Sequence, residues 1–415
     1  MSDNPTILPP LLNPLPQGER KLVKSPFDSN NRSNFDPLSR GERKPFEFLG
    51  SILKNPSNEY IEKAVENGAI PIGYTCSCVP TVMLSAGNLL PVSVRAPGIS
   101  GTETADSYMS SVTCSYVRSI LEFALDGRYD FLQGWVFASG CDHLRRLWDN
   151  TRCLVKPSFN YILDIPHSTS PAAFDWLRIE LAKFRKALEE HFKITIDDRS
   201  LSSAISGHNE NITILKTIGD MRKLPDPPFS GGDFLRLMLA VSVLPGNIAR
   251  DLSLDFLRKA RNQEGLKGHR ARLLVTGGRI DDPAYIDAIE SQGGLVVADR
   301  FCTGSMPSLS PIDTSCDPMT AITKHIFEKT DCPRNMGDLN GRIGRVIETA
   351  GEYKVDGIIL QTIKFCDMWG VESSAMSRAL RKVGMPVLRL EREYRMGGEG
   401  QLKTRVQAFI ESMGK

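Results

Sequence analysis

The sequence predicts an α/β protein: two Rossmann-like parallel-sheet domains with a mainly helical middle segment and a disordered N-terminal extension. Three observations predict it. Short apolar runs of strand type alternate with amphipathic helical stretches over residues 58–168. The same alternation returns over residues 266–415. Between them, residues 169–265 carry long amphipathic stretches and little strand signal. Strands that alternate with helices imply parallel sheets with right-handed crossovers.

Residues 1–57 are rich in Pro, Asn, Ser and Arg and contain a near-repeat, Pro14-Leu-Pro-Gln-Gly-Glu-Arg-Lys21 and Pro37-Leu-Ser-Arg-Gly-Glu-Arg-Lys44. Such a segment buries too little apolar area to offset its ordering entropy, so it reads as a flexible extension. Helical signal begins near Tyr60. Ala69-Ile-Pro-Ile-Gly73 and Leu89-Leu-Pro-Val-Ser-Val94 read as short strands around a helix holding Val82, Met83 and Ala86. Val117, Ile120, Leu121, Ala124 and Leu125 recur at helical spacing. Strands follow at Gly134-Trp-Val-Phe-Ala138 and Tyr161-Ile-Leu-Asp164.

In the middle segment Leu177, Leu181, Phe184 and Leu188 mark one helical face, and Leu224-Pro-Asp-Pro-Pro228 separates two helical groups. The later strands are Leu273-Leu-Val-Thr276, Leu295-Val-Val-Ala298, Gly357-Ile-Ile-Leu360 and Val387-Leu-Arg-Leu390. A closing helix carries Leu402, Val406, Phe409, Ile410 and Met413.

The length of 415 residues suits two or three domains. A net charge of +2 argues against a broad nucleic-acid or membrane surface. No apolar run approaches the roughly 20 residues needed to span a bilayer, and the N-terminus lacks a signal core. The expected location is cytoplasmic. Nine cysteines in such a chain call for a reason, because disulfides are rare in the cytoplasm.

Ligands collect at the carboxyl ends of strands in open α/β sheets. Cys141, Cys302 and Cys366 each follow the end of a strand, and Cys114 directly precedes a helix, where N–H groups favour an anion. Packing of isolated thiols is the plain alternative. No C-x₂-C pair supports a zinc ribbon or ferredoxin-type site. Cys76 and Cys78 would share one face of an extended segment. There is no G-x-x-x-x-G-K-[ST] phosphate loop and no G-x-S-x-G elbow. Gly397-Gly-Glu-Gly400 reads as a loop, and His143 as a hydrogen-bonding group. Arg118, Arg145 and Arg146 could pair with an anionic ligand, with surface solvation the plainer reading.

Four stretches carry a resemblance. They are Pro80-Thr-Val-Met-Leu-Ser-Ala-Gly-Asn-Leu-Leu-Pro91; Ser111-Val-Thr-Cys-Ser-Tyr-Val-Arg-Ser119 with Asp126-Gly-Arg-Tyr-Asp130 and Ser139-Gly-Cys-Asp-His143; Gly277-Gly-Arg-Ile-Asp-Asp-Pro283 with Gly294-Leu-Val-Val-Ala-Asp-Arg-Phe-Cys302; and Val355-Asp-Gly-Ile-Ile-Leu-Gln-Thr-Ile-Lys-Phe-Cys366 with Glu399-Gly-Gln-Leu-Lys-Thr-Arg-Val-Gln-Ala-Phe409. In order and combination they resemble the 2-hydroxyacyl-CoA dehydratase family, which includes the ATP-dependent benzoyl-CoA reductases.

The resemblance implies one [4Fe–4S] cluster on Cys114, Cys141 and Cys366, with one iron left without a protein thiolate. It implies an oxygen-sensitive iron–sulfur subunit doing low-potential single-electron chemistry on a CoA thioester, the benzoyl-CoA reductase type slightly preferred over the dehydratase. It also implies two partners. One is a related subunit or a second copy of the chain, and the other an ATP-hydrolysing iron–sulfur activator, which accords with the missing phosphate loop. A larger double-cubane cluster, with extra ligands among Cys76, Cys78 or Cys332, is a further alternative, as is a non-catalytic electron-transfer subunit. Cys302 and Cys332 read as structural. One departure stands out: Thr81-Val82-Met83 replaces an acidic residue that family members often carry there, which leaves the proton-transfer group unassigned.

Overall fold

Among the described residues, eight short strands form two separate sheets, both parallel throughout. In the first, β1 (Ile70–Tyr74), β2 (Leu89–Ser93), β3 (Gly134–Ala138) and β4 (Phe159–Leu163) lie in the order β2-β1-β3-β4. In the second, β5 (Ala271–Gly277), β6 (Gly294–Phe301), β7 (Gly357–Ile363) and β8 (Val387–Arg392) lie in the order β6-β5-β7-β8. The structure, a computed structural model, describes Phe46, residues 48–305 and residues 309–414. All eight strands stand where the apolar runs predict them, shifted by a few residues at their ends.

The two sheets repeat one topology. From its first strand the chain steps outward to the second, then crosses back to pair on the other side. Each sheet therefore has a switch point, between β1 and β3 and between β5 and β7. Loops that leave in opposite directions open a crevice at the carboxyl ends there. β3 and β7 are buried along their whole length, because helices cover both faces of these inner strands.

The middle helices join the two sheets rather than standing apart. Pro171–Phe192 begins with Ser170 accepting the Ala173 N–H and Pro171 in the first turn, and it buries Leu177, Leu181, Phe184 and Leu188 as their spacing predicts. Asp198–Met221, Gly231–Val241 and Gly246–Arg261 follow. One apolar core runs from Leu90 and Val92 on β2, through Leu237 and Phe256 of these helices, to Leu273 and Val275 on β5.

The expectation of a flexible extension over residues 1–57 falls largely outside the described residues. Its last part is packed. The helix Phe48–Leu53 buries Leu49, Ile52 and Leu53, and Phe46 stacks on Phe256 with ring centroids 4.1 Å apart. The apolar residues recur every three or four positions, a pattern hidden by the polar sequence around it.

A buried polar latch fixes the second sheet against the first. Arg279, beyond β5, donates to the Thr75 and Val94 carbonyls and to Ser93 Oγ, each at 3.1 Å. Its Nε donates to both Asp281 oxygens at 2.7–2.8 Å. The Tyr394 hydroxyl donates to Asp281 at 2.8 Å and accepts the Ala96 N–H at 3.1 Å. The Tyr394 N–H donates to Ser115 Oγ at 2.7 Å, one residue from Cys114. Gly277 permits this turn: its φ is +129°, and a Cβ there would collide with the Gln361 carbonyl of β7. Among the described residues no helix is long and apolar enough to cross a membrane.

Candidate functional site

Cys114, Cys141 and Cys366 occupy one structural position three times over. Each is the residue on which a helix begins: Ser115–Leu125, Asp142–Asn150 and Asp367–Lys382. Backbone N–H groups of the first turn lie toward each sulfur and favour its thiolate, without making a cap hydrogen bond. They come from Tyr116 and Val117 for Cys114, from His143 and Leu144 for Cys141, and from Met368 and Trp369 for Cys366. Two of these helices follow the switch-point strands β3 and β7, so the cysteines come from both sheets.

The three thiols share a dry environment. They pack around one apolar cluster that includes Phe137, Leu144 and Ile363. They are near enough for their charges to act on one another. Burial pushes all three up, Cys141 to about 11 and Cys114 further, against the N–H groups that favour the thiolate. Helix starts of this kind can stabilise thiolates, but here desolvation wins until a positive partner arrives.

His143 ties the three starts together. Its Nδ1 accepts the Cys114 N–H at 3.2 Å, and its Nε2 lies 3.4 Å from Asp367 Oδ2, beside Cys366. Accepting at Nδ1 leaves the proton on Nε2, on the side that faces the carboxylate. His143 itself sits in the first turn after Cys141. Phe365, just before Cys366, has φ +63°, a left-handed conformation that turns the chain from β7 into the helix.

A second group of thiols lies nearby. Cys76 and Cys78 follow β1, Cys302 follows β6, and Cys332 sits in the loop after the helix Pro318–Phe327. Charges on Cys78 act on Cys302 and Cys332, and Cys366 acts on Cys302, so the two groups adjoin. The buried Arg334 donates to Cys78 Sγ at 3.3 Å. A hydrogen bond from Cys76, aided by Arg334, pulls Cys78 well below the ordinary thiol range and pushes Cys76 well above it. Burial lifts Cys302 to about 12 and Cys332 higher. Cys153 and Cys316 are exposed and outside both groups.

The three arginines near the site pair locally. Arg118 binds Asp106 at 2.8 Å, Arg145 binds Asp142 at 3.6 Å and Arg146 binds Asp149 at 2.9 Å. The residues that sequence reasoning passed over are Arg334 and Lys329. Arg334 was visible only as a neighbour of Cys332. Lys329 carries no local motif. Among the described residues, no three His, Cys, Asp or Glu side chains gather tightly enough to hold a single metal ion. In a cubane each thiolate meets a different iron, so its ligands stand wider apart than those of one ion.

Comparison with known proteins identifies the family. A family model described as "2-hydroxyglutaryl-CoA dehydratase, D-component" matches residues 76–413. YjiM of Escherichia coli (strain K12), named as a candidate dehydratase subunit, is 26% identical over 84% of this chain and 92% of its own length. A benzoyl-CoA reductase subunit of Thauera aromatica is 23% identical over 82% of this chain and 90% of its own length. The (R)-phenyllactyl-CoA dehydratase beta subunit of Clostridium sporogenes is 22% identical over 89% of this chain and 98% of its own length. The matched span holds the second sheet, β2 to β4 of the first and every thiol from Cys76 to Cys366, and the chain belongs to the 2-hydroxyglutaryl-CoA dehydratase D-component family.

Proposed function

We propose that this chain is the iron–sulfur subunit of an enzyme that delivers low-potential single electrons to a CoA thioester, with Cys114, Cys141 and Cys366 as ligands of a [4Fe–4S] cluster. One observation carries the reading: three thiols, Cys114 buried and Cys141 and Cys366 half-buried, each at a helix start, come together from both sheets. The donor set fits the group. Three sulfurs raised by burial are poor thiolates alone, and iron supplies the positive charge that burial withholds. The N–H groups at each helix start then serve as hydrogen bonds to sulfur. A cluster so held supplies one-electron reduction and keeps one iron free of protein thiolate.

The chain's own residues prepare that site. His143 and Asp367 hold the helix starts in register. The apolar cluster around Phe137 and Ile363 keeps water away, which protects reactive intermediates. The buried face of the helix Thr81–Ser85 offers Val82, Met83 and Leu84, none of which can move a proton. The proton chemistry therefore belongs to another group or to the partner. The relatives named above support aromatic-ring reduction and dehydration equally. The partners in this reading are a related subunit or a second copy, and an ATP-hydrolysing iron–sulfur activator.

The second group of thiols favours a variant of this reading. Cys76, Cys78, Cys302 and Cys332 adjoin the first three, with Arg334 against Cys78, as a larger double-cubane centre would need. The test is anaerobic purification of the chain, iron and sulfide analysis, and assay with activator and partner on benzoyl-CoA and on a 2-hydroxyacyl-CoA. Iron-free, colourless protein would overturn the cluster. A cluster that cycles without turning over either thioester would overturn the catalytic role.

A further inference from the structure

A cavity of about 370 Å³ opens at the carboxyl end of β8, against the start of the helix Glu399–Ser412. Arg392, Arg395 and Arg405 line it. Arg392 ends β8, Arg395 stands in the loop that follows, and Arg405 lies on the helix. Among the described residues none of the three has a carboxylate within ion-pair reach. Their hydrogen bonds go to uncharged partners. Arg392 donates to Gln361 Oε1 at 3.0 Å, to the Glu393 and Tyr394 carbonyls at 2.9 and 3.2 Å, and to the Arg279 carbonyl. Arg405 donates to the Arg389 carbonyl at 2.7 Å, and Arg395 to the Ser100 carbonyl. A guanidinium carries five N–H donors, so Arg395 and Arg405 keep most of theirs for a ligand.

The cations converge and are open to solvent. Arg392 lies over the Tyr285 ring, 4.9 Å from its centroid, and the charges of both Arg392 and Arg405 act on Tyr285. Arg392 is half-buried, and Arg395 and Arg405 are exposed, so a ligand reaches them without rearrangement. The helix itself adds to the field. Gly398 precedes it with φ +66° and has no side chain to cap it. Gly398 and Gln401 line the cavity, which brings the positive end of the helix to the same place. The carboxylates on the wall oppose an anion weakly. Glu393 faces Lys364 at 3.9 Å, and Asp282 accepts the Ala284 N–H at 3.0 Å. Glu391 is exposed, where water and salt screen its charge.

We propose that this cavity binds a phosphate group, single or as a diphosphate, with Arg395 and Arg405 donating to its oxygens and Arg392 supplying charge behind them. A carboxylate has two acceptor oxygens, which one guanidinium satisfies in bidentate fashion. Three guanidinium groups and a helix start suit a tetrahedral anion of higher charge. Two sources carry that chemistry: a free phosphate or diphosphate, and the phosphate-bearing end of a CoA thioester. Lys364 on the cavity wall is two residues from Cys366, and the Tyr394 N–H meets Ser115, beside Cys114. The second source rests on the proposed function, whereas the anion site itself does not.

The test is calorimetric titration of the anaerobically purified full chain at neutral pH and low ionic strength with acetate, phosphate, diphosphate, CoA and pantetheine. Diphosphate should bind saturably and about tenfold more tightly than acetate. Arg395→Gln and Arg405→Gln should each weaken diphosphate about tenfold, with melting temperature and iron content recorded for both. Lys403→Gln removes the same charge from the same helix, but Lys403 is paired with Glu399 at 2.7 Å, so this variant should change binding less. CoA that displaces diphosphate, where pantetheine does not, supports the site with CoA as the source. Diphosphate that CoA does not displace supports it with a free anion as the source. No saturable diphosphate binding, equal binding of acetate and diphosphate, binding unchanged in both folded arginine variants, or an equal loss in Lys403→Gln would each overturn the proposal. Iron content and thioester turnover judge the proposed function separately from any of these results.

Discussion

At the scale of single residues, the site is a matter of where sulfurs sit on helices. Ser at position 114, 141 or 366 keeps the hydrogen-bonding role at the helix start but loses the soft ligand that iron prefers. Each of Cys114→Ser, Cys141→Ser and Cys366→Ser should lower iron per chain severely, whereas Cys153→Ser, on the exposed Cys153, should leave it unchanged. Unchanged iron in all three would refute the ligand assignment. His143→Leu removes the acceptor for the buried Cys114 N–H, a loss of about 1–3 kcal/mol that a denaturant midpoint would register. Much of this was legible: strand ends and one helix start pointed to Cys141, Cys302, Cys366 and Cys114, and the family resemblance selected three of them. The helix starts at Cys141 and Cys366 were also written in the acidic residue that follows each, Asp142 and Asp367. Arg334 was not legible, because the sulfur it meets is 256 residues away and no local pattern encodes that contact.

At the scale of elements, the start of the helix Gly231–Val241 shows how burial and hydrogen bonding compete. Ser230 and Asp233 form a capping box, and Glu290 accepts the Gly231, Gly232 and Val296 N–H groups at 2.8, 3.2 and 3.0 Å. Three donors favour the carboxylate, yet burial outweighs them and lifts Glu290 from 4.5 to about 7. A carboxyl raised on folding takes up a proton as the chain folds. Its contribution is whole below the unfolded value and is lost as pH rises through about 7. Glu290→Gln keeps Oε1 for Gly231 and Val296 and removes the titration. Urea midpoints should therefore fall less between pH 5 and pH 8 in this variant than in the parent. An equally steep fall would refute the assignment. The capping box could be read from the Ser230–Asp233 spacing. Glu290 could not, since its partners include a helix 59 residues earlier.

At the scale of the whole molecule, the three candidate ligands come from two different sheets. The strand and helix alternation made each sheet legible alone. The mating of the sheets was not legible, because Arg279 meets Thr75 across 204 residues and Tyr394 meets Ala96 across 298. Tyr394→Phe should leave the Ala96 N–H unpaired, cost about 1–3 kcal/mol, and loosen the side of the site nearest Ser115.

If the proposed cluster is bound, iron is also a structural partner of the fold. A group that binds the folded chain and not the unfolded one adds stability by mass action. The proposed ligands would bridge Cys114 and Cys141 from one sheet to Cys366 from the other, so removal of iron should be felt by both. Stripping iron under mild oxidation and chelation should lower the melting temperature and split or broaden a single transition. The iron count then separates the two forms of the centre: about four irons per chain for a single cubane, and about twice that for a double cubane that also uses the Cys76, Cys78, Cys302 and Cys332 group. A double cubane further requires that Cys78→Ser lower iron by about half while Cys153→Ser does not. Iron unchanged in Cys78→Ser would confine the centre to the three helix starts.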